Sequence, residues 1–130
     1  MASAGNDNTS AAVYPAAFDG QVVGIASTSD GDTKSSFSNY GTSDVWIAAP
    51  GEGIVSTYPG ATYATSSGTS FSSPMVAGAA ALFLNFKHSV NQTQAANALA
   101  KAKLLTPNLN HGRLDVFAAL SDMQLVGGIL

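Results

Sequence analysis

The chain has 130 residues, a length suited to one domain, and only 10% of them are charged, against roughly 25% in ordinary soluble domains. Its net charge is −3 with no basic run, which offers nothing to nucleic acid or an anionic membrane, and its longest apolar run, Met75 to Leu84, is too short to cross a bilayer. There are no cysteines, so disulfides and thiolate metal sites are excluded. A small free-standing domain exposes much surface for its volume and normally carries more charge. The shortage points to a secreted protein with a neutral Ser/Thr/Asn surface, or to a piece of something larger. The start of the chain has no basic segment followed by an apolar core, so it does not read as a signal peptide.

Met1 to Ala4 reads as the end of a strand, and Gly5-Asn6-Asp7-Asn8 as a turn. Tyr14-Pro15-Ala16-Ala17-Phe18 is a loop whose X-Pro bond is open to either isomer. Val22 to Ser27 is a β-branched run closed by Ser29-Asp30-Gly31-Asp32, a strand and a turn. Ser35 to Gly41 is polar and irregular. Val45 to Ala49 reads as a strand closed by Pro50-Gly51, and Ile54–Thr57 with Thr62–Thr65 as a hairpin around Pro59-Gly60.

A helix is predicted from Ser70 to Phe86. Pro74 cannot donate to the Ser70 carbonyl, a loss tolerated near a helix start. No residue from Ser66 to Phe86 is charged, and a helix apolar on every side must be buried on every side. A few strands and two weak helices are too little to wrap it. Asn91-Gln92-Thr93-Gln94 starts a second helix, with Ala95, Ala98, Leu99 and Ala102 on one face and Lys101 and Lys103 near its end. Pro107 stops it. Gly112 to Leu120 gives a turn and a short last helix, leaving an apolar tail without assignment. The organisation predicted is one partial domain over residues 1–122 and a tail over 123–130, with no internal repeat or linker.

The chemistry centres on Ser66-Ser67-Gly68-Thr69-Ser70-Phe71, where a small polar turn enters the long helix. Taken locally, this is a Gly/Ser loop capping a core helix. A hydroxyl held there also lies beside the unpaired N–H groups and positive dipole end of the helix, the setting a nucleophilic serine needs. Asn6, taken alone, reads equally as a turn residue tolerating a left-handed backbone. The Asp30-Gly31-Asp32 spacing lacks a full calcium ligand set and is explained by a turn. Asn8-Thr9-Ser10 and Asn91-Gln92-Thr93 match glycosylation sequons, which recur by chance.

Gly68-Thr69-Ser70-Phe71-Ser72-Ser73-Pro74-Met75-Val76-Ala77-Gly78 resembles the nucleophile signature of the subtilases, the subtilisin-like serine proteases. Ala4-Gly5-Asn6-Asp7, Ala48-Ala49-Pro50-Gly51 and Gly112-Arg113-Leu114-Asp115 resemble further words of that family, in the family's order. Tyr14-Pro15-Ala16 and Ser35 to Gly41 resemble loops between them. The resemblance covers roughly Ala2 to Leu120, and so many ordered matches argue against coincidence. It implies an α/β fold, subtilisin-like, with a largely parallel sheet flanked by helices and a central buried helix starting at the nucleophile, of which this chain carries the C-terminal half.

The resemblance further implies that Ser70 is the nucleophile and Asn6 the oxyanion-hole amide of a serine endopeptidase acting on polypeptides. Ser3, Ala4, Gly5 and Gly68 would line the substrate pocket, with Val13 near its base. No cofactor is implied within this chain. Calcium is implied for the complete protein, mostly through upstream loops, with one weak cation site at the Ala16 and Phe18 carbonyls. The family orders its triad Asp, His, Ser, and the first two lie upstream of the A-G-N word, where this chain begins. The expected partner is therefore the N-terminal half of the domain, supplying Asp and His, and the chain alone is expected to be inactive. His88 and His111 read as surface residues. A secreted, extracellular location follows from the family. The other readings are a non-catalytic binding module and one half of a split protease. Phe71, Met75 and Ser67 replace the family's usual Met, His and Asn, and none of these removes chemistry.

Overall fold

The computed structural model describes residues 1–127, omitting the side chains of Phe86 and 124–127. Three parallel strands, β1 (Ala2–Ser3), β2 (Gly24–Thr28) and β3 (Ile47–Pro50), form a sheet in that order. The chain beyond β3 folds as an antiparallel hairpin, β4 (Ile54–Tyr58) and β5 (Thr62–Ser66), then the long helix α1 (Thr69–Phe86). Helix α2 (Gln92–Leu99), a single 3₁₀ turn at Pro107–Leu109 and helix α3 (Val116–Gly127) complete it. Each predicted strand is present, shifted by one or two residues toward the C-terminus in β2 and β3.

Alternation along the strands divides the core in two, because successive side chains point to opposite faces. Ile25, Ile47 and Ala49 face the helices and pack with Val76, Ala79, Phe83, Leu99 and Ala119. Ala26 and Ala48 face the other way, with Ala4, Val45 and Leu109. Residues 112–114 extend the sheet beside β3, since Ala48 N–H donates to Gly112 O at 2.8 Å and Leu114 N–H to Ala48 O at 2.8 Å. The closing Gly-Arg-Leu-Asp word is thus a strand-like edge.

Helix α1 corrects the expectation of all-round burial. Ser72, Val76, Ala79 and Phe83 form one buried stripe, while Ala77, Ala81, Leu82 and Leu84 on the remaining surface are exposed. The elements within the chain cover one side of this helix only. Helix α2 starts as its sequence requires: Asn91 Oδ1 accepts from Gln94 N–H at 2.9 Å and Gln94 Oε1 from Asn91 N–H at 3.1 Å, a reciprocal capping box. It ends at Leu99, so Lys101 and Lys103 lie beyond it and pair instead with Asp122 and Asp32. Helix α3 runs past Leu120, across the division placed after residue 122 and into the apolar tail as far as Gly127. The rest of that tail, 128–130, is outside the described residues. The Tyr14–Pro15 bond is cis.

Candidate active site

All three chemistry-bearing words fall at the carboxyl edge of the parallel sheet. Ala4-Gly5-Asn6 follows β1, Pro50-Gly51 ends β3, and Gly68-Thr69-Ser70 opens α1, which packs on all three strands. Open parallel sheets place their ligand sites at this edge, where strands end and helix N-termini point outward. Gly51 ties the pieces together. Its N–H donates to Thr28 O at 3.1 Å and its carbonyl accepts from Gly68 N–H at 2.8 Å. A Cβ on Gly51 would collide with Ser72 Oγ and Ser27 Oγ and stand 2.9 Å from Gly68 O. Only glycine lets the end of β3 lie so close under the helix start.

Asn6 caps α1 from a distant part of the chain. Its Oδ1 accepts from Thr69 N–H at 2.9 Å and from the Thr69 hydroxyl at 2.9 Å, and Thr69 Oγ1 in turn accepts from Gly5 N–H at 3.2 Å. An amide N–H can only donate, so these bonds fix which end of the Asn6 amide faces the helix. The Nδ2 group has no hydrogen-bond acceptor among the described residues, and it would lie 3.4 Å from a Cβ on Gly68. Ser70 is exposed, and its backbone N–H likewise has no acceptor among the described residues. An amide donor thus lies beside Gly68 at the positive end of an 18-residue helix, whose second residue carries an exposed hydroxyl. Chemically, this arrangement can hold an oxygen on which negative charge develops.

The other predicted residues are dispersed. Ser3 is half-buried in β1, and Ala4 is fully buried in the second core cluster, presenting only its backbone. Gly5 adopts φ +109°, a left-handed conformation suited to glycine. Val13 is half-buried and donates its N–H to Asp44 Oδ2 at 3.0 Å. Neither histidine approaches Ser70. His88 follows the far end of α1, about 27 Å of helix away at 1.5 Å per residue. His111 stacks on Trp46 with 4.3 Å between ring centres and its Nδ1 lies 2.9 Å from Trp46 O. That position is the amino edge of the sheet, opposite the site.

At the cation position Ala16 and Asp44 line one small recess. Asp44 is buried, and its Oδ1 has no hydrogen-bond partner. Burial pushes the Asp44 pKa up, against the Val13 N–H and Ser43 bonds that lower it. The Phe18 carbonyl differs from expectation: it accepts from Gln21 N–H at 3.1 Å and Val22 N–H at 2.9 Å, which occupies both its lone pairs. An orphaned buried carboxylate oxygen and a nearby carbonyl fit a cation. The second carbonyl does not. The Asp30-Gly31-Asp32 turn is occupied otherwise, with Asp32 at φ +57° and ion-paired to Lys103 and Arg113.

Sequence reading missed three participants: Thr69 as the grip on Asn6, Asn39 beneath the Asn6 loop, and Asp44. Thr69 and Asn39 sit inside words already singled out, whereas nothing local marks Asp44 as buried.

A parallel sheet whose carboxyl edge carries an exposed serine at a helix start and an amide donor beside it defines an α/β protein with its polar groups gathered at that edge. Residues 1–117 match the subtilase family, and the chain belongs to that family. It is 48% identical over 96 residues to thermitase of Thermoactinomyces vulgaris, covering 74% of this chain and 34% of thermitase. It is 40% identical over 99 residues to subtilisin BL of Lederbergia lenta, covering 76% of this chain and 36% of that protein. The solved structure of the prenylagaramide maturation protease PagA superposes with a TM-score of 0.83 at 28% identity, covering 93% of this chain and 49% of that one. The chain therefore spans about a third of the length of these curated relatives and about half of that solved chain.

Proposed function

We propose that this chain is the C-terminal half of a serine endopeptidase domain, secreted, which hydrolyses polypeptides through an acyl-enzyme on Ser70. The observation that carries this reading is the Asn6 amide, turned by Thr69 so that its Nδ2 lies beside Gly68 at the start of the helix that carries the exposed Ser70 hydroxyl. In the reaction Ser70 Oγ attacks the scissile carbonyl and its proton passes to a histidine from the upstream half, held by that half's aspartate. Asn6 and Ser70 N–H receive the oxyanion, and collapse of the tetrahedral intermediate expels the amine, which takes the proton from the histidine. Ser3, Gly5 and Gly68 offer backbone to the substrate on one side, with Ala4 contributing main chain only and Val13 lying deeper.

The bare face of α1 supports an upstream half as the partner. Met75, Leu82 and Leu84 are 37%, 45% and 49% exposed, and a groove lined by Met1, Ala77, Ala81, Leu84 and Ala95 runs along that face. Each large side chain buried there contributes about 1.5–3 kcal/mol. A parallel sheet also needs cover on both faces. A free binding module would have polar residues on this surface, and α1 has no charge from Thr69 to Phe86. The test is hydrolysis of a casein substrate by this chain completed with an upstream half carrying Asp and His. Activity should appear on completion and vanish with Ser70→Ala. Equal activity in the Ser70→Ala protein would overturn the proposal.

For the weak cation we propose Asp44 and the Ala16 carbonyl, without Phe18. Calcium, when bound, supplies positive charge that offsets the buried carboxylate. Because folding raises the Asp44 pKa, its contribution is fully present below the unfolded value of about 3.9 and is lost as pH rises through the folded value. At pH 7 the ionised group therefore weakens the fold unless a cation compensates it. Melting temperature should rise with calcium at fixed ionic strength and pH 7, by an amount equivalent to about 2.7 kcal/mol at a hundred times Kd. Asp44→Asn should melt higher than wild type in chelator and show no calcium response; an undiminished response rules this site out.

A further inference from the structure

Asn39 lies in the polar segment between β2 and β3, and yet it is fully buried. Its side chain is used entirely on the loop that carries Asn6. Nδ2 donates to Ala4 O at 2.9 Å, while Oδ1 accepts from Asp7 N–H at 2.9 Å and Thr9 N–H at 3.3 Å. The backbones reinforce this: Asn39 N–H donates to Gly5 O at 3.0 Å, and Asn8 N–H to Phe37 O at 2.8 Å. Residues on both sides of Asn6 are thus held by one amide, whereas Asn6 itself is exposed and its side chain hydrogen-bonds to Thr69. Gly5 completes the fit, since a Cβ there would stand 2.5 Å from Asn39 Nδ2.

An oxyanion donor acts through preorganisation: it must already point at the place where charge develops, and about 1 Å of misplacement can cost up to a hundredfold. Thr69 fixes one end of the Asn6 amide. The backbone from which that side chain projects is fixed from beneath by Asn39. We propose that Asn39 is a positioning residue for the oxyanion hole, setting turnover through Asn6 without contacting substrate. Ser38 extends the support, because its Oγ accepts from Ser27 N–H of β2 at 2.9 Å and donates to Asn39 O at 2.9 Å. The register of the central strand is thereby passed to the Asn6 loop.

This rests on the reading of Asn6 as an oxyanion donor, and a double-mutant cycle in the completed domain separates the two. Asn39→Ala should lower kcat about ten- to a hundredfold with KM and the pH profile of kcat unchanged. In an Asn6→Ala background the same substitution should lower kcat no further, a non-additivity that a merely structural role would not produce. Asn39→Asp keeps the acceptor for Asp7 and Thr9 but sets an oxygen against Ala4 O, and carries the same test if the alanine variant fails to fold. A folded Asn39 variant with full kcat, or one with the same fold loss in both backgrounds, overturns the proposal while leaving Asn6 its role. Full kcat in Asn6→Ala itself overturns the oxyanion reading and this proposal together.

Discussion

Ser70 of this chain by itself should react with a fluorophosphonate probe no faster than a free serine, and should be labelled rapidly and stoichiometrically once an upstream half supplies Asp and His. The hydroxyl is exposed and its helix N-terminus is formed, so access and local electrostatics are in place without the partner. A neutral alcohol still needs a base within hydrogen-bond reach, and His88 lies beyond the far end of α1 while His111 is held against Trp46. In a subtilisin, loss of the triad histidine lowers kcat by about 10⁶, a magnitude carried over here rather than obtained from this geometry. Time-resolved mass spectrometry of the labelled protein measures the ratio. Fast labelling of the purified chain alone would show that a base is present and refute the proposed dependence on an upstream half.

Asn6→Ala in the completed domain should, on the proposed oxyanion role, lower kcat by about 10²–10³, equivalent to about 2.7–4 kcal/mol, with little change in KM; that magnitude belongs to an oxyanion-hole asparagine of a subtilisin. The alanine variant also strips the cap from Thr69 N–H and leaves the Thr69 hydroxyl without its acceptor, which costs stability by about 1 kcal/mol. Asn6→Asp separates these effects. It retains an acceptor for Thr69 and so should keep the melting temperature, yet it removes the amide donor and places negative charge where the oxyanion is proposed to form. Its kcat should fall at least as far as that of the alanine variant. If folded Asn6→Asp turned over at the wild-type rate, the free Nδ2 would have no part in the reaction.

Much of the fold was legible because local rules and tertiary structure agree. The hairpin is set by Pro59-Gly60 between two β-branched runs, and α2 by the Asn91 capping box, features that act over a few residues. Short apolar runs closed by turn signals gave the strands, though their ends moved with sheet pairing: Trp46 reads as strand but sits before β3, its backbone bonded to Gly24 and His111. The extent of α3 was not legible, since Val116 to Gly127 has no stop signal after Leu120 and no strong periodicity either.

Of the site, the sequence by itself determined its chemical identities: a serine entering an uncharged helix, an amide after a glycine at a strand end, and the glycine that ends β3. These depend on residue type and spacing along the chain. The tertiary structure alone decided how they meet. That Asn6 Oδ1 caps a helix 63 residues later follows from β1 and β3 ending at one edge of the sheet, with Gly51 bonded to Gly68. That polar Asn39 is buried beneath that loop, and apolar Leu82 and Leu84 are exposed, runs against their hydropathy. Burial is a property of what packs on a residue, and those partners lie far away in sequence: for Asn39 the loop at 4–9, and for the bare face of α1, by the reading proposed here, the other half of the domain.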